Sequence, residues 1–190
     1  MSEEVATNKR GVKRQFMHRR NIDARGYLRE DGLWDIEGVI QDTKGYELKL
    51  PDRGDVPEGG FLHHLTLTLT VDEQLNIVDA YAEMFYTPYL DCPGAAVSYE
   101  ALVGLQIGKG WINEARRAIG RVSGCAHLTE LLPVLASAAM QSIRGYHLNF
   151  TPGFIGGDEE RKNMLNTCHG FRTGGRAQIR LWPDSDDRNG

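Results

Sequence analysis

Residues 65–72 read Leu-Thr-Leu-Thr-Leu-Thr-Val-Asp, and residues 77–85 read Ile-Val-Asp-Ala-Tyr-Ala-Glu-Met-Phe. Leu65, Leu67, Leu69 and Val71 recur at period two, which sends successive side chains to opposite faces of a strand. Thr66, Thr68 and Thr70 between them are β-branched, so even the polar face favours extended backbone. Asp72 to Asn76 supplies turn residues, and Ile77 to Phe85 returns, predicting a hairpin with one buried face. Upstream, Trp34 to Asp42 alternates in the same way and predicts another strand. Residues 51–60 hold two Pro and three Gly and predict a loop.

Beyond the hairpin the period changes. Tyr99 to Ile107 predicts a short helix punctuated by Gly108 and Gly110, and Trp111 to Ile119 a second. Leu128 to Ile143 predicts the longest helix, with Leu128, Leu131, Leu132, Leu135, Ala138, Ala139 and Ile143 on one stripe and Gly145 as its stop. Pro133 falls early in that helix, or marks where its regular part begins. Residues 150–160 read as a loop, and Ala177 to Trp182 as a strand. Strands first and helices second predict an α+β fold, an antiparallel sheet with helices packed on one face. Residues 1–20 carry Lys9, Arg10, Lys13, Arg14, Arg19 and Arg20 and are expected as a flexible basic arm. The functional version of that arm folds over a site or a partner and supplies Arg to an anion. Residues 21–183 are expected as a single domain, and residues 184–190 as a polar tail.

The 190 residues carry 22 basic and 26 acidic side chains, a net charge of −4, with 41% hydrophobic and 25% charged residues. These are values of a soluble globular chain long enough to bury a core. No apolar run approaches the roughly 20 residues of a bilayer span, so no membrane is expected. The acidic balance argues against nucleic acid as a partner. The opening MSEEVATNKRGVKRQF lacks a signal-type apolar stretch, and three cysteines are too few for a disulfide framework. A reducing cytoplasm is the expected compartment.

Dinucleotide, P-loop, zincin and nucleophile-elbow signatures are absent. What remains is a set of soft ligands and acid/base groups. Cys125 and His127 precede the longest helix, where the helix dipole favours a thiolate. Cys92 lies in the turn TPYLDCPG, Cys168-His169 opens the C-terminal segment, and His63-His64 begins the central strand. Imidazole and thiolate are the usual ligands of zinc and related ions, so Cys125, Cys92, His127 and His63 make a candidate metal set for zinc or iron. The plain alternative is that the cysteines fill space and His127 bonds the backbone. Adjacent strand residues face opposite ways, so His63 and His64 cannot share a site unless the strand bends. Arg25, Arg29, Asp31 and Trp34 lie in one charge-dense stretch. It reads either as surface ion pairs or as anion-binding Arg with Asp31 as orienter or base. Tyr81, Tyr86 and Tyr89 flank Pro88; they either pack or line a pocket for an aromatic ligand with their phenols as acid/base groups.

Several spaced motifs agree in order: RxDGLWDIEG, a Gly-x-x-x-His before the hairpin, Pro88 with Cys92, LVGLxIxxGW, GC-[AT]-HLxEL and a late Thr-Cys-His. Together they resemble the uncharacterised bacterial family called domain of unknown function 2889, over about residues 17–183. The family name brings no established activity; its context implies breakdown of phenylpropanoid and other lignin-related aromatics. A hairpin, then a Cys, then helices, then a Cys opening a long helix is also similar to iron–sulfur scaffold proteins of the IscU and SufE type. Cys92 and Cys125 fall near two of the three scaffold thiols. Phe61 stands where the first would be, with His63 close to the neighbouring acidic ligand, and the turn before Cys92 is longer than in the scaffolds.

The expected function is a small-molecule lyase of aromatic catabolism working without an organic cofactor, by retro-aldol cleavage that releases a small aldehyde such as formaldehyde. A phenolate substrate supplies its own electron push. The protein then needs an acid/base pair, an aromatic wall and a cation to hold charge. His63, His127, Tyr86, Tyr89 and Asp31 are the expected catalytic set, with Arg25, Arg29, Trp34 and Cys92 as substrate-binding groups. The alternatives are a metal or iron–sulfur protein and a non-catalytic ligand-binding accessory. A homodimer is compatible with the need to cover sheet edges.

Overall fold

The structure, a computed structural model, describes residues 5–154 and 157–183. A small hairpin pairs β1 (Val5–Thr7) with β2 (Lys13–Gln15). Then β3 (His18–Leu28), β4 (Trp34–Lys44), β5 (Phe61–Val71) and β6 (Ile77–Tyr86) form an antiparallel sheet in sequence order. A 3-10 helix follows at Cys92–Leu102, then α1 (Trp111–Ile119), α2 (Ala126–Phe150), α3 (Asp158–Met164), a short 3-10 turn at His169–Phe171, and α4 (Arg176–Leu181). The fold is α+β. The chain divides into two compact units, residues 1–142 and 143–190, with the boundary inside α2.

In the first unit the period-two residues form the core. On β4, Trp34, Ile36 and Ile40 are buried, and they stand opposite Val71, Leu69 and Leu65 of β5. Helix α2 lies on this face with Leu128, Leu131, Leu132, Leu135 and Ala139 fully buried, a spacing of three and four residues. Its close approach explains Gly38: a methyl there would stand 2.9 Å from a Leu135 methyl. Trp111, Ala115 and Ile119 of α1 add to the core at four-residue spacing, with Tyr99 and Leu102 from the 3-10 helix.

Four segments differ from the sequence expectation. His18–Leu28 forms a full-length strand, although its residues read as basic arm and charged segment. It is an edge strand, and charged side chains on an exposed edge both hide its periodicity and protect it from further pairing. Inside the expected arm, residues 5–7 and 13–15 pair as strands. The expected Tyr99–Ile107 helix is replaced by a 3-10 helix that starts earlier, at Cys92, with Pro93 in its first turn. Ala177–Trp182, expected as a strand, is helical: α4 closes on a Trp182 N–H bond to the Gln178 carbonyl. The tail 184–190 lies outside the described residues.

Candidate functional site

The core phase of β4 continues past Ile40 to Asp42, and the core phase of β5 begins at His63. Both are buried, at 1% and 7% exposure, and they face each other across the β4–β5 ladder. Two polar groups therefore stand where the alternation demands apolar ones. The β4–β5 ladder shifts register between Asp42 and Thr43, and the β5–β6 ladder shifts between His64 and Leu65. Bulges of this kind often re-aim side chains beside functional sites.

The Asp42 carboxylate is fully engaged. Arg20, opposite it on β3, donates Nε–H to Oδ1 at 2.8 Å and Nη2–H to Oδ2 at 2.7 Å. His63 donates Nδ1–H to Oδ2 at 2.8 Å. His18 Nε2 lies 3.6 Å from Oδ1. The remaining Arg20 donor, Nη1, bonds Glu130 of α2. Burial pushes the Asp42 carboxyl up, but the hydrogen bonds from Arg20 and His63 outweigh it and hold it below the usual carboxylate value. An ionised carboxylate only accepts, which fixes His63 as the Nδ1–H tautomer. Its Nε2 makes no hydrogen bond among the described residues.

His127, from the first turn of α2, lies over His63 with ring centroids 3.9 Å apart and the planes inclined at 38°. Burial is the main cause lowering the pKa of both rings. The nearby His127 charge adds to it for His63, and Arg20 adds to it for His127. Both are therefore neutral at neutral pH, each with a nitrogen lone pair to offer. Potential ligand atoms of Asp42, His63 and His127 lie within 4.8 Å of one another. Cys125 Sγ stands 3.9 Å from His127 Nδ1. The start of α2 is pinned by buried Tyr99, whose hydroxyl donates to the Cys125 carbonyl at 2.7 Å, accepts from the Cys125 N–H at 3.2 Å, and lies 3.0 Å from Thr129 Oγ1. A cleft of about 480 Å³ opens between the end of α1 and the first turns of α2, with Cys125, Thr129 and Glu130 on its wall.

Of the residues singled out from the sequence, His63, His127 and Cys125 come together. His64 points away: it meets Gln41 on the other face of the sheet, beside Phe61 and Tyr86. Tyr86 thus belongs to the opposite face, with the Arg53 guanidinium 4.7 Å above its ring, and Tyr89 is exposed in the following loop. Asp31 sits in the β3–β4 turn, bonded to Arg29 at 2.6 Å and 3.0 Å. That turn is at the far end of the sheet, beyond Trp34, which is itself roughly 25 Å along β4 from Asp42. Trp34 is buried in the core there. Arg29 is bound by Asp31 and Asp35, and Arg25 by Asp23, so both serve as the surface ion pairs of the plain reading. Cys92 opens the 3-10 helix and is not among the clustered ligand groups.

Arg20, Asp42, Glu130 and Tyr99 were not among the candidates. Asp42 carried a usable signal: within Trp34–Asp42 it is the one charged residue in phase with Trp34, Ile36 and Ile40. Arg20, counted with the expected arm, is instead a residue of β3 and binds the Asp42 carboxylate on the neighbouring strand.

The fold and the cluster define an α+β protein with a carboxylate-oriented histidine pair at the end of its sheet. The chain belongs to the family described as protein of unknown function (DUF2889), which matches residues 18–141 and so spans β3 through most of α2. No curated protein and no solved structure matches it significantly. The likeness to iron–sulfur scaffolds is therefore carried by the sequence pattern alone. No helix among the described residues is long and apolar enough to cross a membrane.

Proposed function

We propose that the first unit is a lyase acting on a small phenolic substrate, with His63 as general base. The observation that supports this is the Arg20–Asp42–His63 chain beside His127. Asp42 orients His63 and stabilises the imidazolium it becomes, and Arg20 keeps Asp42 ionised. His63 Nε2 takes the proton of a hydroxymethyl O–H; the oxygen pair forms the carbonyl of the released aldehyde. The phenolate first expels the hydroxyl or aryloxy group on its benzylic carbon, which leaves with a proton from solvent as water or a phenol and gives a quinone methide. The C–C bond to the hydroxymethyl carbon then breaks, and its electron pair forms a C=C bond while the quinone methide returns to phenolate. His127, with its ring centroid 3.9 Å from that of His63, relays the proton out in this reading. The aromatic substrate class rests on the context of the family, and Tyr86, on the opposite face of the sheet from His63, has no part in it.

The test is aldehyde release from phenolic phenylpropanoid dimers that carry a hydroxymethyl group. Wild-type protein is expected to release formaldehyde. His63→Ala is expected to lose about 10²–10⁴-fold in rate, the usual worth of a positioned base, and Tyr86→Phe is expected to keep it. Release that survives His63→Ala, or ligand binding with no release from any such dimer, overturns the reading; the second result favours a non-catalytic ligand-binding protein.

A further inference from the structure

We propose that Cys125, His63 and His127 form a three-donor site for a zinc-class divalent cation, with Asp42 holding His63 from behind rather than binding the ion. The cluster of Asp42, His63 and His127 is of the right residue types and compactness for a metal. Its hydrogen bonds, however, show which atoms are free. Both Asp42 oxygens are taken by the Arg20 fork, and Oδ2 also accepts the His63 Nδ1–H. A cation at Asp42 would have to displace a guanidinium. Left in place, Asp42 does what carboxylates commonly do behind zinc-bound histidines: it fixes the tautomer and turns the other nitrogen outward.

That leaves His63 Nε2, the His127 ring and the Cys125 thiol as donors. In a tetrahedral site with Zn–S of about 2.3 Å and Zn–N of about 2.1 Å, sulfur and nitrogen stand about 3.6 Å apart. Cys125 Sγ and His127 Nδ1 are 3.9 Å apart, within a few tenths of that spacing. His63 lies against His127 at 3.9 Å between ring centroids. Of the three donors, the cleft between α1 and α2 reaches Cys125, through which an ion would enter. The site does not rest on the lyase reading, because binding is measured with no substrate present. If both hold, Zn²⁺ occupies the Nε2 lone pair that proton transfer uses, and inhibits.

The full-length, reduced protein is titrated with Co²⁺ as a spectroscopic probe. One equivalent is expected to bind with a thiolate-to-cobalt charge-transfer band that Zn²⁺ bleaches. Cys125→Ser is expected to abolish the band, and His63→Gln or His127→Gln to weaken binding at least about 10-fold. Cys92→Ser and Cys168→Ser are expected to change nothing. No charge-transfer band in the wild type, a band that persists in Cys125→Ser, or affinity untouched by both histidine changes overturns the proposal. Should Cys125→Ser fail to fold, alkylation of wild-type protein decides instead: Zn²⁺ should protect Cys125 and spare neither Cys92 nor Cys168, and equal alkylation of Cys125 with and without Zn²⁺ overturns it. Aldehyde release is scored separately, so a failed metal site and a failed lyase are distinguishable.

Discussion

Asp42 stands 1% exposed among isoleucines and leucines, and its charge is met by Arg20 and His63. A buried carboxylate is tolerable only while its partners remain. Arg20→Met keeps most of the side-chain volume and removes the fork. It is expected to cost about 3 kcal/mol, the low end for breaking a buried pair because Arg20 is itself 27% exposed. Urea unfolding at neutral pH checks this, and a midpoint equal to that of wild type counts against the role given to Arg20. Adding Asp42→Asn to the same chain should recover part of the loss, since no charge is then left behind.

At the level of elements, the site depends on where α2 begins. Tyr99 ties the 3-10 helix to the first turn of α2 through the Cys125 amide, the Cys125 carbonyl and Thr129. Tyr99→Phe keeps the buried ring and strands these groups, so about 1–3 kcal/mol of stability should be lost. The same change should broaden the histidine ring signals of His127 in NMR spectra while leaving His64, on the other sheet face, unaffected. The elements that read plainly from sequence, β4 to β6 with α1 and α2, are those whose apolar period is uninterrupted. β3 did not read so: of its residues only Arg20 and Ala24 are even half-buried, and a strand exposed on both faces has little apolar pattern to show. α4 failed for another reason. Six residues with Ile179 and Leu181 at spacing two suit either period, and helix won.

For the molecule as a whole, the cluster sets a pH dependence of stability. Burial lowers the His63 and His127 pKa values from 6.5, so below about that pH the unfolded chain binds protons that the folded chain refuses. Stability then falls as pH falls through this window. Asp42 acts in the same direction at lower pH: its depressed pKa contributes stability above the unfolded value of 3.8, which is lost as pH falls through the folded value. Melting temperature should therefore drop between pH 7.5 and 5.5, and drop less in a His63→Gln, His127→Gln double variant; equal slopes would count against the buried neutral pair. By itself the sequence determined the hairpin, the α+β order, the long helix and the family, because each depends on residues near one another in the chain. It also offered His63, His127 and Cys125, as residue types suited to chemistry. Only the tertiary structure decided that they meet, and that Arg20 and Asp42 belong with them rather than Asp31, Tyr86 or Tyr89. The physical reason is separation: Arg20 lies 22 residues from Asp42 and 110 from Glu130, and these contacts exist only once strand register and the seat of α2 are set.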